Sequence, residues 1–197
     1  MLAISLSGQP AKVGPSTTNA LLGAAMTTSA APNPAETIQQ QPALREVSTR
    51  FGKVTVNKEK AVHFAKGFVG MPDKQYFCMV DFPVTKLPRF KLMQCLTDDE
   101  LAFMVLPIEL TNEFIESEDI AEACKTLSID EGNLGMALVV TIHRRVNAVS
   151  LSVNARAPIF IDTAKLTAAQ YVLPNNKYEI RQMISSAGVV LEGTYDD

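Results

Sequence analysis

The chain has 197 residues, 47% hydrophobic and 20% charged, with a formal net charge of −3. These values suit a globular protein of one domain plus an appendage. They exclude a bilayer-crossing helix, for which no apolar run is long enough, and argue against direct nucleic-acid binding. Cys78, Cys95 and Cys124 fit no paired zinc or redox spacing, so reduced thiols in a cytoplasmic protein are expected. Met1 to Gly8 has no basic residue before its apolar patch and makes a poor secretory signal.

Residues 1–46 are rich in Ala, Ser, Thr, Pro, Gln and Asn, and only Lys12, Glu36, Arg45 and Glu46 are charged. Pro32, Pro34 and Pro42 interrupt helices, and too few large apolar side chains are present to offset the entropy of ordering. A disordered low-complexity segment is expected there. The folded domain is expected over 47–184, and a flexible acidic tail over 185–197.

Short β-prone runs follow one another. Val47–Arg50 and Lys53–Val56 flank a turn at Phe51-Gly52, and Ala61–Phe64 comes next. Lys66–Pro72 reads as a loop, with Gly67 and Gly70 supplying special backbone angles. Gln75–Val80 and Arg89–Leu96 are strands, and Leu101–Leu106 is a buried strand stopping at Pro107. One helix is predicted, capped by Ser117, with Glu118 and Asp119 in its first turn and Ile120, Ala123, Cys124 and Leu127 facing inward.

Met136–Ile142 is continuously apolar, as in a strand buried on both faces. From Val149 to Asp162 the odd positions are apolar, which predicts one long ribbon with a single buried face. The two runs form a hairpin around Arg144–Asn147. Pro158 should bend the ribbon, bulge it or make it an edge, with Asn154 hydrogen-bonding backbone at a bend. Gln170–Leu173 and Tyr178–Arg181 complete the strands. The fold class is mainly β: a small antiparallel barrel or sandwich with one short helix behind a disordered N-terminal segment.

Charge is unevenly placed. Asp98–Glu131 holds eleven acidic residues against Lys125 alone, whereas Arg50–Gln94 has nine basic and three acidic residues. Such an acidic run is either a solvated face or a docking surface for a basic partner. Catalytic and metal patterns are missing: His63 and His143 have no second histidine at ligand spacing, and no phosphate loop or nucleophile elbow occurs. No cofactor is expected.

Four segments carry a resemblance. His63–Gly70 is similar to F-x-x-G-(L/I)-P-G, and Gln94–Phe103 to L-Q-S-L-x-D-x-x-L-A-F. Asn154–Asp162 is similar to N-L-x-A-P-I-x-I-N, and Gln170–Leu173 is followed by Tyr178 in the right order. Together they resemble the flagellar assembly factor FliW family over roughly 47–184, departing from it at Val69, Ala155 and Asp162. The resemblance implies a non-enzymatic β-barrel that binds the translational repressor CsrA, releasing flagellin mRNA, and also binds flagellin. It further implies structural roles for Gly67, Gly70, Gln94, Leu101, Phe103, Asn154, Ala157, Pro158 and Gln170. Carboxylates suit a basic partner, so the expected docking residues are Asp98, Asp99, Glu100, Glu109, Glu113, Glu116, Glu118, Asp119 and Glu122. The protein is expected to be monomeric alone and to contact neither membrane nor nucleic acid. The alternatives are a β-barrel ligand-binding or enzymatic domain, and a chaperone for flagellin only.

Overall fold

The computed structural model describes residues 33–145 and 148–185. The expected segment 1–46 is described only from Asn33, and of the expected tail 185–197 only Ser185 is described.

Residues 33–46 depart from the expectation. Pro34–Gln39 is a helix, α1, and β1 (Leu44–Thr49) pairs with β2 (Gly52–Asn57). Pro34 stands at the start of α1, where its missing N–H has no intrahelical partner to lose. Asn33 caps α1 by accepting from Ala35 N–H, and Ile38 is buried. Gln41 Nε2 donates to Leu96 O at 2.8 Å, fixing the segment to the domain.

The central sheet contains β3 (Val62–Phe64), β4 (Tyr76–Asp81), β5 (Lys91–Cys95), β6 (Ala102–Ile108) and β7 (Leu134–Arg145). It is completed by β8 (Ala148–Val153), β9 (Ile159–Asp162), β10 (Thr167–Gln170) and β11 (Gln182–Ile184). Its order is β11-β8-β7-β6-β5-β4-β3-β10-β9, and β9 also pairs with β7. That pairing closes seven strands into a barrel and leaves β8 and β11 extending from the far half of β7. All pairings are antiparallel except β3 with β10, a parallel pair where an all-antiparallel sheet was expected.

The ribbon Val149–Asp162 is two strands, not one. Both pair with the same edge of β7: Val153 faces Val140, and Ile159 faces Ala137. Between them Asn154–Pro158 detours against only Leu138 and Val139, a large bulge. Nor is one face solvated: Ser152, Phe160 and Asp162 are buried alongside the odd positions. Pro158 is not at an edge, because β9 lies between β7 and β10. The missing N–H is absorbed by the detour.

Other boundaries moved for similar reasons. β6 runs through Pro107, whose absent N–H turns toward β5 after the β5–β6 ladder has ended at Lys91↔Val105. The strand expected at 170–173 is 167–170, and the last strand is 182–184 rather than 178–181.

Every barrel strand sends side chains into one apolar cluster, among them Phe64, Phe77, Met93, Val105, Ala137, Ile159 and Ala168. The interior is therefore filled. Phe68, from the 66–72 loop, closes one region of it by stacking on Phe103 at 4.5 Å between centroids. A second cluster lies outside the wall, where Leu92, Met104, Leu138 and Phe160 meet α1 and α2 (Ser117–Leu127). On α2 the inward residues are Ile120, Ala123 and Cys124, with Leu127 half-buried. Ser117 is the first helical residue rather than the cap. Glu116 holds the cap position without a side-chain capping bond.

Phe68→Ala should lower stability by about 3–5 kcal/mol, because Phe68 is buried against Phe64, Phe77 and Phe103. A calorimetric melting point lowered by roughly 6–20 °C is the expected result. An unchanged melting point would mean that the loop does not seal the barrel.

Candidate functional site

The acidic run is divided by the fold. Asp98, Asp99 and Glu100 sit in the β5–β6 turn, whereas Glu109 begins the connection from the other end of β6 to α2. The rise of the strand separates these ends by ~20 Å.

Much of the turn's charge is neutralised within the chain. Asp98 lies 2.9 Å from Lys74 Nζ, and Asp99 lies 2.7 Å from Arg45 Nη1. The Lys74 hydrogen bond holds the Asp98 carboxyl below its usual range and lifts Lys74 above its own. Beneath the turn, Gln94 is fully buried, with Nε2 within 3.0–3.2 Å of the carbonyls of Cys95, Asp98, Asp99 and Leu101. Two amide hydrogens shared among four carbonyls fix the turn's path.

Around α2 the carboxylates divide again. Asp119 is only 15% exposed and lies 2.8 Å from Lys177 Nζ. It also accepts from Asn175 Nδ2 at 3.2 Å and from the Tyr178 hydroxyl. Lys177 reaches Glu116 as well. The Lys177 and Tyr178 hydrogen bonds pull the Asp119 carboxyl below its usual range, and burial pushes the Tyr178 phenol up. Tyr178 Oη also accepts from Glu116 N–H at 3.1 Å, supplying the helix with the cap its own residues lack. Glu116 and Asp119 thus belong to the scaffold. Glu109, Glu113, Glu118 and Glu122 are exposed and form no ion pair among the described residues.

The motif residues hold backbone together. At Gly67, φ is +68° and a Cβ would meet Pro72 backbone at 2.5 Å, so no other residue fits without displacement. Gly70 also has positive φ, in open space. Asn154 Oδ1 accepts from Ala157 N–H at 3.0 Å inside the detour, where Ala157 and Pro158 are buried. Gln170 spans two motifs: Oε1 accepts from Val69 N–H at 3.2 Å, and Nε2 donates to Ala157 O at 3.3 Å. Proline at position 69 could not donate that bond, so the departure at Val69 gives this chain an extra tie. Asp162 keeps the acceptor an asparagine would supply, taking N–H bonds from Ala164 and Lys165 at 3.1 and 2.9 Å. Leu101 and Phe103 pack at the margin of the interior cluster.

Both histidines contact neighbouring side chains. His143 Nε2 is 2.7 Å from Ser152 Oγ, and His63 stacks on Tyr76 at 4.7 Å. All three cysteines are buried, and burial raises the Cys78 and Cys124 thiols. Among the described residues no group of His, Cys, Asp and Glu is placed to hold a metal ion, and no helix is long and apolar enough to cross a membrane. The neutralising partners Arg45, Lys74 and Lys177 escaped the sequence reading. Their carboxylates lie 24 to 61 residues away in the chain for the pairs Lys74–Asp98, Arg45–Asp99 and Lys177–Glu116, and no local signal marks them.

This is a β-barrel with an apolar, filled interior and with exposed carboxylates on its loops and outer helix. A family model described as FliW protein matches residues 46–184, and the chain belongs to that family of flagellar assembly factors. It is 31% identical over 134 residues to the flagellar assembly factor FliW of Syntrophus aciditrophicus, covering 68% of this chain and 83% of that one. With the FliW of Heliobacterium modesticaldum it shares 28% over 151 residues, covering 76% and 95%. A crystal structure of the flagellar assembly factor FliW has the same fold, with a TM-score of 0.54 at 20% identity, covering 71% of this chain and 96% of that one.

Asp119→Asn should destabilise the protein at neutral pH. The folded Asp119 carboxyl ionises below its unfolded counterpart, so its contribution is complete above the unfolded value, about pH 4. It is lost as the pH falls through the folded value. Urea unfolding should therefore show a gap between the two proteins at pH 7 that narrows below about pH 4. A gap of constant size across that range would remove Asp119 from the acid response.

Proposed function

We propose that this flagellar assembly factor binds and antagonises the translational regulator CsrA, relieving repression of flagellin mRNA. We also propose that it binds flagellin as a chaperone-like partner, so that flagellin level and repressor activity are coupled. The protein acts in the cytoplasm, is monomeric alone and contacts RNA only through what it does to its partner. Membership in the FliW family supports this reading. The observation that carries the surface assignment is the set of exposed carboxylates beside and on α2: Glu109, Glu113, Glu118 and Glu122. A regulator that grips phosphate must present basic side chains, and an opposing negative surface raises encounter rate and specificity.

Glu118 and Glu122 are one helical turn apart and share the exposed face of α2. Asp98, Asp99, Glu116 and Asp119 contribute less to such a field, since each has an intramolecular cation. The apolar filling of the barrel favours surface recognition over a ligand held in its interior. A flagellin-only chaperone is the remaining rival, and parallel binding assays with purified CsrA and purified flagellin separate the two.

The double variant Glu118→Lys, Glu122→Lys should associate with CsrA more slowly, by on the order of tenfold at low salt, and with a flatter salt dependence. Stopped-flow association across a salt series reads both. Thermal stability should change little, because both positions are exposed. Identical association rates at every salt concentration would rule out this face of α2.

A further inference from the structure

Five buried side-chain atoms have no hydrogen-bond partner among the described residues: Arg45 Nε and Nη2, Gln94 Oε1, Arg156 Nε and Asn175 Oδ1. Three of these four side chains are held through another atom. Arg45 pairs with Asp99, Gln94 Nε2 reaches four carbonyls, and Asn175 Nδ2 donates to Asp119. Arg156 is the exception. Its guanidinium makes neither a hydrogen bond nor an ion pair among the described residues.

The Arg156 backbone is fixed on both sides. Its carbonyl accepts Leu173 N–H at 2.9 Å, and its N–H donates to Glu179 O at 3.2 Å. Buried Ala155 and Ala157 flank it in the chain. The side chain is half-buried, with Nε closed to solvent. Nη1 and Nη2 are neither bonded nor closed off, so they are the atoms a ligand can reach.

Burial removes part of the hydration of this cation, and no carboxylate of the described residues offsets the loss. Glu179 does not, although its own carbonyl holds the Arg156 backbone: its side chain is exposed and forms no ion pair among the described residues. Partial burial also strengthens the pull on an approaching anion, because the attraction is less screened than in bulk water.

Both stretches that hold Arg156 carry exposed apolar side chains. Val172, beside Leu173, is 51% exposed, and Ile180, beside Glu179, is 66% exposed. Arg181 follows, exposed and without an ion pair among the described residues. Arg156 and Arg181 outweigh Glu179, so the unpaired charge here is positive, opposite in sign to that on the exposed face of α2.

We propose that Arg156 is a binding site for a carboxylate carried by an acidic segment of a partner protein. An aspartate or glutamate side chain meets Nη1 and Nη2 in a hydrogen-bonded ion pair, and apolar residues beside it in the segment cover Val172 and Ile180. The site takes the opposite charge from the α2 carboxylates and stands or falls independently of them.

The test uses the full chain and a short, labelled, end-capped peptide with aspartate between two leucines, compared with its asparagine counterpart. Saturable binding of the aspartate peptide is expected, at least ~tenfold tighter than that of the asparagine peptide, with a shift of the Arg156 Nε–H resonance. Arg156→Gln should remove the preference for aspartate. It should leave the melting point unchanged or raised, because the guanidinium has no bond within the chain to lose. Val172→Ser and Ile180→Ser should each weaken binding at least ~threefold. Absence of saturable binding, or equal affinity for the two peptides, overturns the proposal. So does an aspartate preference that survives in Arg156→Gln, or binding that leaves the Arg156 resonance in place. A melting point lowered by Arg156→Gln overturns it as well, since the arginine would then be held within the fold.

Discussion

Barrel closure depends on β7 offering one edge to two successive strands, β8 and β9. The five residues between them must leave the ladder and return, which exposes backbone groups in a buried place. Each is recovered. Asn154 N–H goes to Val139, and Ala157 N–H to the Asn154 side chain. Ala155 and Arg156 N–H both reach Glu179 O, while the carbonyls of Arg156, Ala157 and Pro158 accept from Leu173, Gln170 and Tyr171. The stretch 170–179 thus serves mainly to satisfy the detour. It delivers Lys177 and Tyr178 to α2, where they fix Asp119 and the helix start. The closing bulge and the acidic helix are parts of one connected hydrogen-bond system.

That connection divides the surface charge into two kinds. A carboxylate such as Asp119, enclosed by a lysine, a phenol and an amide, is committed to the fold and offers little field to a partner. Glu118 and Glu122 are exposed instead, and their charge is available at the cost of some self-repulsion. Net charge along a sequence cannot make this distinction, because it depends on which cation the fold brings near.

The strands with strong alternation or unbroken apolar character were legible: β4, β5, β6 and β7 all lie close to their expected positions. The packed face of α2 followed from Ile120, Ala123 and Cys124 at helical spacing. What failed was non-local. Nothing near Asn154 announces that two strands share one edge of β7, and a period-two pattern continues through the detour as if it were strand. Pro34 reads as a helix breaker unless it falls at a helix start, which here is held by the Asn33 cap, the burial of Ile38 and the Gln41 bond to Leu96. The parallel β3–β10 pair joins segments too short to carry a direction in their composition. At the surface, the acidic run was visible, but its neutralisation by Arg45, Lys74 and Lys177 was not.

The β3–β10 pair also sets an order of events during synthesis. His63 meets Thr167 across 104 residues of chain. At ribosomal speeds of roughly 5–20 residues per second, β3 waits ~5–20 s for its partner. Through that interval β3 to β7 can zip together in sequence, but they form an open sheet with a bare edge and half-covered Phe64 and Phe77. Closure of the barrel therefore waits until β9 and β10 have been made. A nascent-chain chaperone has its best opportunity on the edge of β3 that stays bare until β10 is made.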